Sequence, residues 1–224
     1  MKFIRVFLVV VAFFGLLTFS FSAHSVELET FIETLQNYVV RVQANSYSGY
    51  GVVISKKDGH IISAYHIIVG EDENKDPDSL EIKVLVGNQI YKAKILKYDV
   101  LKDLVLLKIE KVFDEIPDFS FDYQVGDKVF VLGKETLFFS REITEIIKEK
   151  VKGRISLFLI LNTPLQKGLS GSGVFDENGN LVGLAQYIKR YKDTGEEFGQ
   201  AIASEEIQGF LEEIIPPEVP PFRD

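Results

Sequence analysis

The stretch Asn162-Thr163-Pro164-Leu165-Gln166-Lys167-Gly168-Leu169-Ser170-Gly171-Ser172-Gly173-Val174-Phe175-Asp176-Glu177-Asn178-Gly179-Asn180-Leu181-Val182-Gly183-Leu184-Ala185-Gln186-Tyr187 decides how the chain is read. At its centre a serine stands among closely spaced glycines. Glycine allows the positive φ values of a sharp bend and lets another molecule approach the backbone without meeting a side chain. A serine on such a bend, beside two converging N–H groups, is the layout of an oxyanion hole, which stabilises the charge that develops in acyl transfer. The same residues also suit a plain Gly/Ser turn between two strands. The hexapeptide Gly168–Gly173 alone leaves both readings open.

Outward from this loop the pattern is one of short strands. Val174-Phe175, Leu181–Tyr187 and Gly199–Ala203 follow or flank it, and Gly126–Gly133, Glu142–Lys148 and Arg154–Leu161 precede it. Further upstream, runs with a period of two or continuous apolar character predict strands at Tyr38–Gln43, Gly51–Ser55, His60–Ala64, Leu80–Leu85, Gln89–Leu96 and Leu104–Ile109. Lys56-Lys57-Asp58-Gly59 and Gly87-Asn88 supply turn chemistry. Helical spacing is confined to Leu28, Phe31, Ile32 and Leu35 near the start and to Ser204–Ile215 near the end, where Ser204 is the expected N-cap. Many short strands with helices only at the ends predict an all-β sandwich or pair of barrels. Glu110–Val125, with its acids and Pro117, is the expected linker between halves.

Hydrophobic content of 46% against 26% charged residues marks a chain able to bury a core rather than a disordered one. The formal charge of −8 argues against nucleic acid as a partner. Cysteine is absent, which excludes disulfides and thiolate metal sites. The first 25 residues differ from the rest: Lys2 and Arg5 precede an apolar run from Val6 to about Phe21, then Ser22-Ala23-His24-Ser25. This is the layout of a secretory signal, with cleavage expected after Ser22 or Ser25, and it predicts an exported, periplasmic or secreted protein. An uncleaved anchor through residues 6–21 stays open as the alternative. From Pro216 to Asp224 a Pro-rich, extended tail is expected.

Only His60 and His66 lie outside the leader. His60 follows a turn and is expected to be an exposed hairpin residue. His66, in Ser63-Ala64-Tyr65-His66, has apolar neighbours that predict partial burial. Asp103 opens the strongly apolar run Leu104-Val105-Leu106-Leu107, so burial against an imidazole is a natural arrangement. A serine hydroxyl needs a base to take its proton, and the imidazole needs a carboxylate to fix its tautomer. No carboxylate constellation accompanies the histidines, so neither a metal nor another cofactor is expected.

The order His66, Asp103, Ser170 and the sequences around them resemble the trypsin-like (chymotrypsin-fold) serine proteases, and most closely their HtrA/Deg branch. The likeness runs from about Tyr38 to Ile215 and includes Ser48–Ser55, Val125–Val129 and Gly199–Ala203. It implies an all-β fold of two perpendicular antiparallel six-stranded β-barrels, with short N- and C-terminal helices. The signal would end at residue 25, the protease domain would cover 26–215, and the barrels would span about 38–110 and 125–203. His66 would be general base and then acid, Asp103 its orienting partner and Ser170 the nucleophile. The N–H groups of Gly168 and Ser170 would line the oxyanion hole. Polypeptides, unfolded ones foremost, would be the substrates, and a homo-oligomer stays open.

Several positions depart from the family's pattern. Leu169 replaces the usual small polar residue before the serine, Ser172-Gly173 stands where Gly-Pro is commonest, and Lys134-Glu135 stands where Asn-Pro is usual. Lys167 sits beside the oxyanion segment, and no PDZ domain follows the protease unit in this sequence. Leu165 and Ala185 are expected to line an apolar substrate pocket of modest size, which would favour cleavage after Val, Ile, Ala or Leu. Two function classes follow: an exported serine endopeptidase of protein quality control, and a catalytically impaired peptide-binding or chaperone module on the same fold.

Overall fold

The computed structural model describes residues 27–70, 76–133, 138–151 and 153–212. The leader, the Lys134-Glu135 stretch and the Pro-rich tail lie outside the described residues. Residues 27–38 form the first helix, α1, and Leu35 on it is buried, as the apolar spacing predicts. Its residues through Leu35 belong to one compact unit, and the chain from Gln36 onwards forms a second.

Within the second unit, twelve strands make two closed six-stranded barrels. The first consists of β1 (Val39–Ala44), β2 (Tyr47–Val53), β3 (His60–Ala64), β4 (Ile82–Val86), β5 (Gln89–Asp99) and β6 (Leu104–Lys108). Its ladder runs β1-β2-β3-β6-β5-β4 and closes where β1 pairs antiparallel with β4, Val42 opposite Val84. The second consists of β7 (Lys128–Leu132), β8 (Phe138–Val151), β9 (Arg154–Leu161), β10 (Gly173–Phe175), β11 (Leu181–Arg190) and β12 (Glu197–Ala203), in the order β10-β11-β12-β9-β8-β7. The two barrels thus repeat one connectivity, and every pairing is antiparallel. Closure leaves no open strand edge in either sheet among the described residues.

The interiors follow from the sequence pattern. In β1, Val40, Val42 and Ala44 point inward, while Gln43 is exposed. In β3 and β6 the apolar runs are continuous, and Ile61, Ile62, Val105 and Leu107 are all buried. Val129, Val131, Leu159, Leu161, Val174 and Val182 do the same for the second barrel. Of the sandwich and the barrel pair that strand spacing leaves open, the chain forms the barrel pair that the resemblance implies, with β5, β8 and β11 longer than the period of two suggests. Each carries a register shift in its pairing, between Ile95 and Lys97, Ile143 and Glu145, and Ala185 and Tyr187, and β11 is shifted a second time against β10 at Val174 and Phe175. Such bulges interrupt the alternation on which a sequence-based reading relies.

Two local expectations need correction. His60 begins β3 and is half-buried rather than exposed, because its carbonyl accepts from Ile54 N and its strand pairs with β6. Burial pushes its imidazole below the ordinary value; Lys108 works in the same direction and Asp58 against it. Ser204 is the first residue of α3 (Ser204–Glu212), and its hydroxyl donates to the Ser120 carbonyl at 2.6 Å. It therefore ties the helix to the 109–127 connection between the barrels.

Candidate active site

Asp103 and His66 meet where two strands of the first barrel end. Ala64 of β3 pairs with Leu104 of β6, so the residues just beyond that rung are neighbours. There the chain turns into the one-turn helix α2 (His66–Val69), whose Ile67, Ile68 and Val69 are buried in the barrel core. This burial presents the His66 side chain outward, about one-third exposed. Asp103 has a left-handed backbone, φ 52°, which costs a non-glycine residue about 1–2 kcal/mol. Aspartate tolerates that conformation better than most residues.

The turned backbone lets the Asp103 carboxylate grip His66 twice. His66 N–H donates to Oδ1 at 2.8 Å, and Oδ2 lies 2.7 Å from Nδ1. Ionised, the carboxylate can only accept, so Nδ1 carries the hydrogen and Nε2 is left with its lone pair. The Asp103 carbonyl accepts from Tyr65 N at 3.2 Å, which fixes the residue's other end. The Tyr187 ring lies against the imidazole, centroids 5.1 Å apart and planes tilted by 31°.

The loop before Asp103 is braced by the C-terminal helix. Lys102 forms an ion pair with Glu206 at 2.8 Å with both side chains mostly buried, and the other Glu206 oxygen accepts from Leu157 N. Lys97 Nζ donates to the Phe210 carbonyl and sits over the Phe210 ring.

Ser170 comes from the second barrel, on the loop ahead of β10. Its carbonyl accepts from Tyr50 N at 2.8 Å, which seats the loop against β2 of the first barrel. Two glycines make that approach obligatory. A Cβ at Gly171 would lie 2.0 Å from the Tyr50 carbonyl oxygen, and one at Gly49 would lie 2.6 Å from the Ser170 carbonyl oxygen. Gly168 is different: its φ is 92°, yet nothing stands within 4 Å of where a Cβ would be. Its freedom serves the bend and leaves the backbone open to an incoming molecule.

Leu169, between them, is 3% exposed and belongs to the second barrel's core with Leu165 and Val174. Burying that side chain contributes about 2 kcal/mol to holding the loop. Its N–H donates to Gln166 O and its carbonyl accepts from Ser172 N. Among the described residues, the N–H groups of Gly168 and Ser170 on either side have no partner. The Ser170 hydroxyl donates to the Gln186 carbonyl at 3.2 Å.

Gln186 reaches both the Ser170 hydroxyl and the Asp103 carbonyl, so the Ser170 loop and the His66–Asp103 pair flank one junction between the barrels. Leu165 and Ala185 are not exposed to it in the way the sequence predicts. They are 5% and 0% exposed, members of the second barrel's core, with Leu165 packed against Gly199. A cavity of about 280 Å³ at Asp103 is lined by the apolar Val100, Leu101, Phe158 and Tyr187 and by the polar Lys102, Glu149, Gln186 and Gln200. Sequence reasoning missed Gln186 and Tyr187. Their signal is weak, a polar and an aromatic residue at the end of an apolar run.

This geometry coincides with a family match. Residues 49–184 fit the trypsin-like peptidase domain, more than half of the chain, and the chain belongs to that family. It is 24% identical over 190 residues to "Protease Do-like 1, chloroplastic" of Arabidopsis thaliana, covering 79% of this chain and 41% of that protein. It is 26% identical over 149 residues to the "Probable periplasmic serine endoprotease DegP-like" of Hahella chejuensis, covering 63% and 30%. The chain thus spans less than half the length of these relatives. Among solved structures, the active form of the Rv3671c protease from M. tuberculosis superposes with a TM-score of 0.67 at 20% identity, covering 82% of this chain and 83% of that one.

Proposed function

We propose that this chain is a serine endopeptidase that cleaves polypeptides through an acyl-enzyme. The observation that carries this reading is the double grip of Asp103 on His66, which leaves Nε2 as the imidazole nitrogen not held by the carboxylate. Ser170 Oγ first exchanges its bond to the Gln186 carbonyl for one to Nε2. Nε2 then takes the hydroxyl proton as Oγ attacks the scissile carbonyl carbon, and the carbonyl oxygen becomes an oxyanion facing the N–H groups of Gly168 and Ser170. As the C–N bond breaks, the imidazolium returns that proton to the leaving amine, and the ester remains on Ser170. Water, deprotonated by the same nitrogen, hydrolyses the ester and restores the hydroxyl. Val100, Leu101 and Tyr187 offer an apolar wall to a side chain of the bound polypeptide.

The leader sequence supports export, and a relative's name includes the word periplasmic; our reading extends this to a quality-control role on unfolded polypeptide. N-terminal sequencing of the mature protein should begin at Ala23 or Val26. A start at Met1 or Lys2 would overturn cleavage and favour the tether.

One observation favours the second reading, a peptide-binding module: the Ser170 hydroxyl rests on Gln186 rather than on His66. Treatment with a fluorophosphonate probe separates the two. Labelling of wild type but not of Ser170→Ala, together with casein turnover, is the expected result. An unlabelled wild type that still binds casein would decide for the module.

A further inference from the structure

Gln186 touches both halves of the site although nothing in the proposed chemistry requires it. It is the extra residue of the β11 bulge: Ala185 pairs with Ala201 and Tyr187 with Gln200, and no β12 residue opposes Gln186. A bulge re-aims its side chain and frees its backbone groups from the ladder. Both consequences are used. The freed carbonyl accepts the Ser170 hydroxyl at 3.2 Å. The re-aimed carboxamide, 3% exposed, crosses to the first barrel, where Nε2 donates to the Lys102 carbonyl at 2.6 Å and the Asp103 carbonyl at 3.2 Å. The two hydrogens of that nitrogen match the two acceptors.

We infer that Gln186 is the positioning residue of this site, a clamp that holds Asp103 in its left-handed turn and so holds the His66–Asp103 contact in register with Ser170. The inference rests on the reading of Ser170 as nucleophile. Asp103 can grip His66 twice only with its backbone turned, at φ 52°. Two of the bonds around that turn come from a single side chain of the other barrel. Because the same residue's carbonyl parks the Ser170 hydroxyl, a shift between the barrels moves both ends of the proton path together.

The test compares wild type with Gln186→Met, which keeps the length and removes both donors, and with Gln186→Thr as the smaller variant should the first not fold. Turnover of fluorescent casein should fall about 10- to 100-fold in kcat with KM within about twofold, since misplacement of about 1 Å is worth that much. Fluorophosphonate labelling of Ser170 should slow by the same factor. The low-field proton resonance of the His66 Nδ1–H should broaden as that hydrogen exchanges with water. A folded variant with kcat within twofold of wild type and a sharp, unmoved resonance overturns the clamp. Wild type that is not labelled at Ser170 instead overturns the nucleophile reading, and the resonance still decides whether Gln186 holds the His66–Asp103 contact.

Discussion

The two halves of the site are built to different standards of closure. In the first barrel, among the described residues, the carboxylate corner is closed around His66, whose Nε2 alone is left over: Asp103 meets His66 twice, its carbonyl meets Tyr65 and Gln186, and Lys102 beside it meets Glu206. In the second, among the described residues, two backbone N–H groups stand without partners, Gly168 faces open space and the Ser170 hydroxyl rests on a carbonyl. The base must be oriented before anything arrives, because a wrong tautomer or a turned ring cannot accept the proton. The donors for an oxyanion must instead stay unpaired until charge develops in front of them. The difference in closure follows the order in which the groups would act.

The comparison breaks most visibly at the closed corner. Asp103→Asn keeps the shape but offers Nδ1 an amide, and turnover of casein should fall by about 10⁴-fold with the fold intact. Retention of activity within tenfold would mean that the corner does not orient the ring. The open half is sharpened by two glycines that share a positive φ but not their surroundings. Gly171→Ala places a methyl against the Tyr50 carbonyl and should lower the thermal midpoint by about 10 °C, a loss of roughly 3–5 kcal/mol. Gly168→Ala meets no atom, so only the backbone conformation, about 1 kcal/mol, is at stake for stability. Activity should nevertheless drop about 100-fold as the methyl enters the approach to the N–H groups. Equal midpoint losses in the two variants would show that the loop at Gly168 is as packed as at Gly171.

The smallest effect lies away from the cleft. The His60 imidazole is held below its ordinary value of 6.5 by burial, so the unfolded chain binds more protons than the folded one as pH falls through that value. Stability therefore decreases between about pH 7 and pH 5, and His60→Gln should flatten that slope. Urea midpoints at the two pH values measure it; an unchanged slope would place the acid sensitivity elsewhere.

Most of the framework is legible in the sequence because buried strands show as alternating apolar residues, such as Val40, Val42 and Ala44, or as continuous apolar runs, such as Ile61-Ile62. His66, Asp103 and Ser170 stand out as candidates because few residue types do that chemistry and their order along the chain is informative. Gln186 is not legible, since its contacts depend on a bulge that no local propensity encodes and on a partner 83 positions away. Leu165 and Ala185 mislead for the opposite reason. Their positions next to the loop are right, but the barrel core takes up their side chains. Leu169, unusual beside an oxyanion segment, becomes intelligible as the residue that fastens the loop inward.

That fastening sets how the site responds to its surroundings. A loop held by an ion pair loosens as salt screens it or as either partner titrates. One held by a buried leucine side chain is indifferent to both and weakens instead on cooling, as the hydrophobic contribution declines. The environment of this protein would reach the Ser170 loop through temperature, whereas ionic strength would act on the opposite side of the site, where the Lys102–Glu206 pair braces the loop before Asp103.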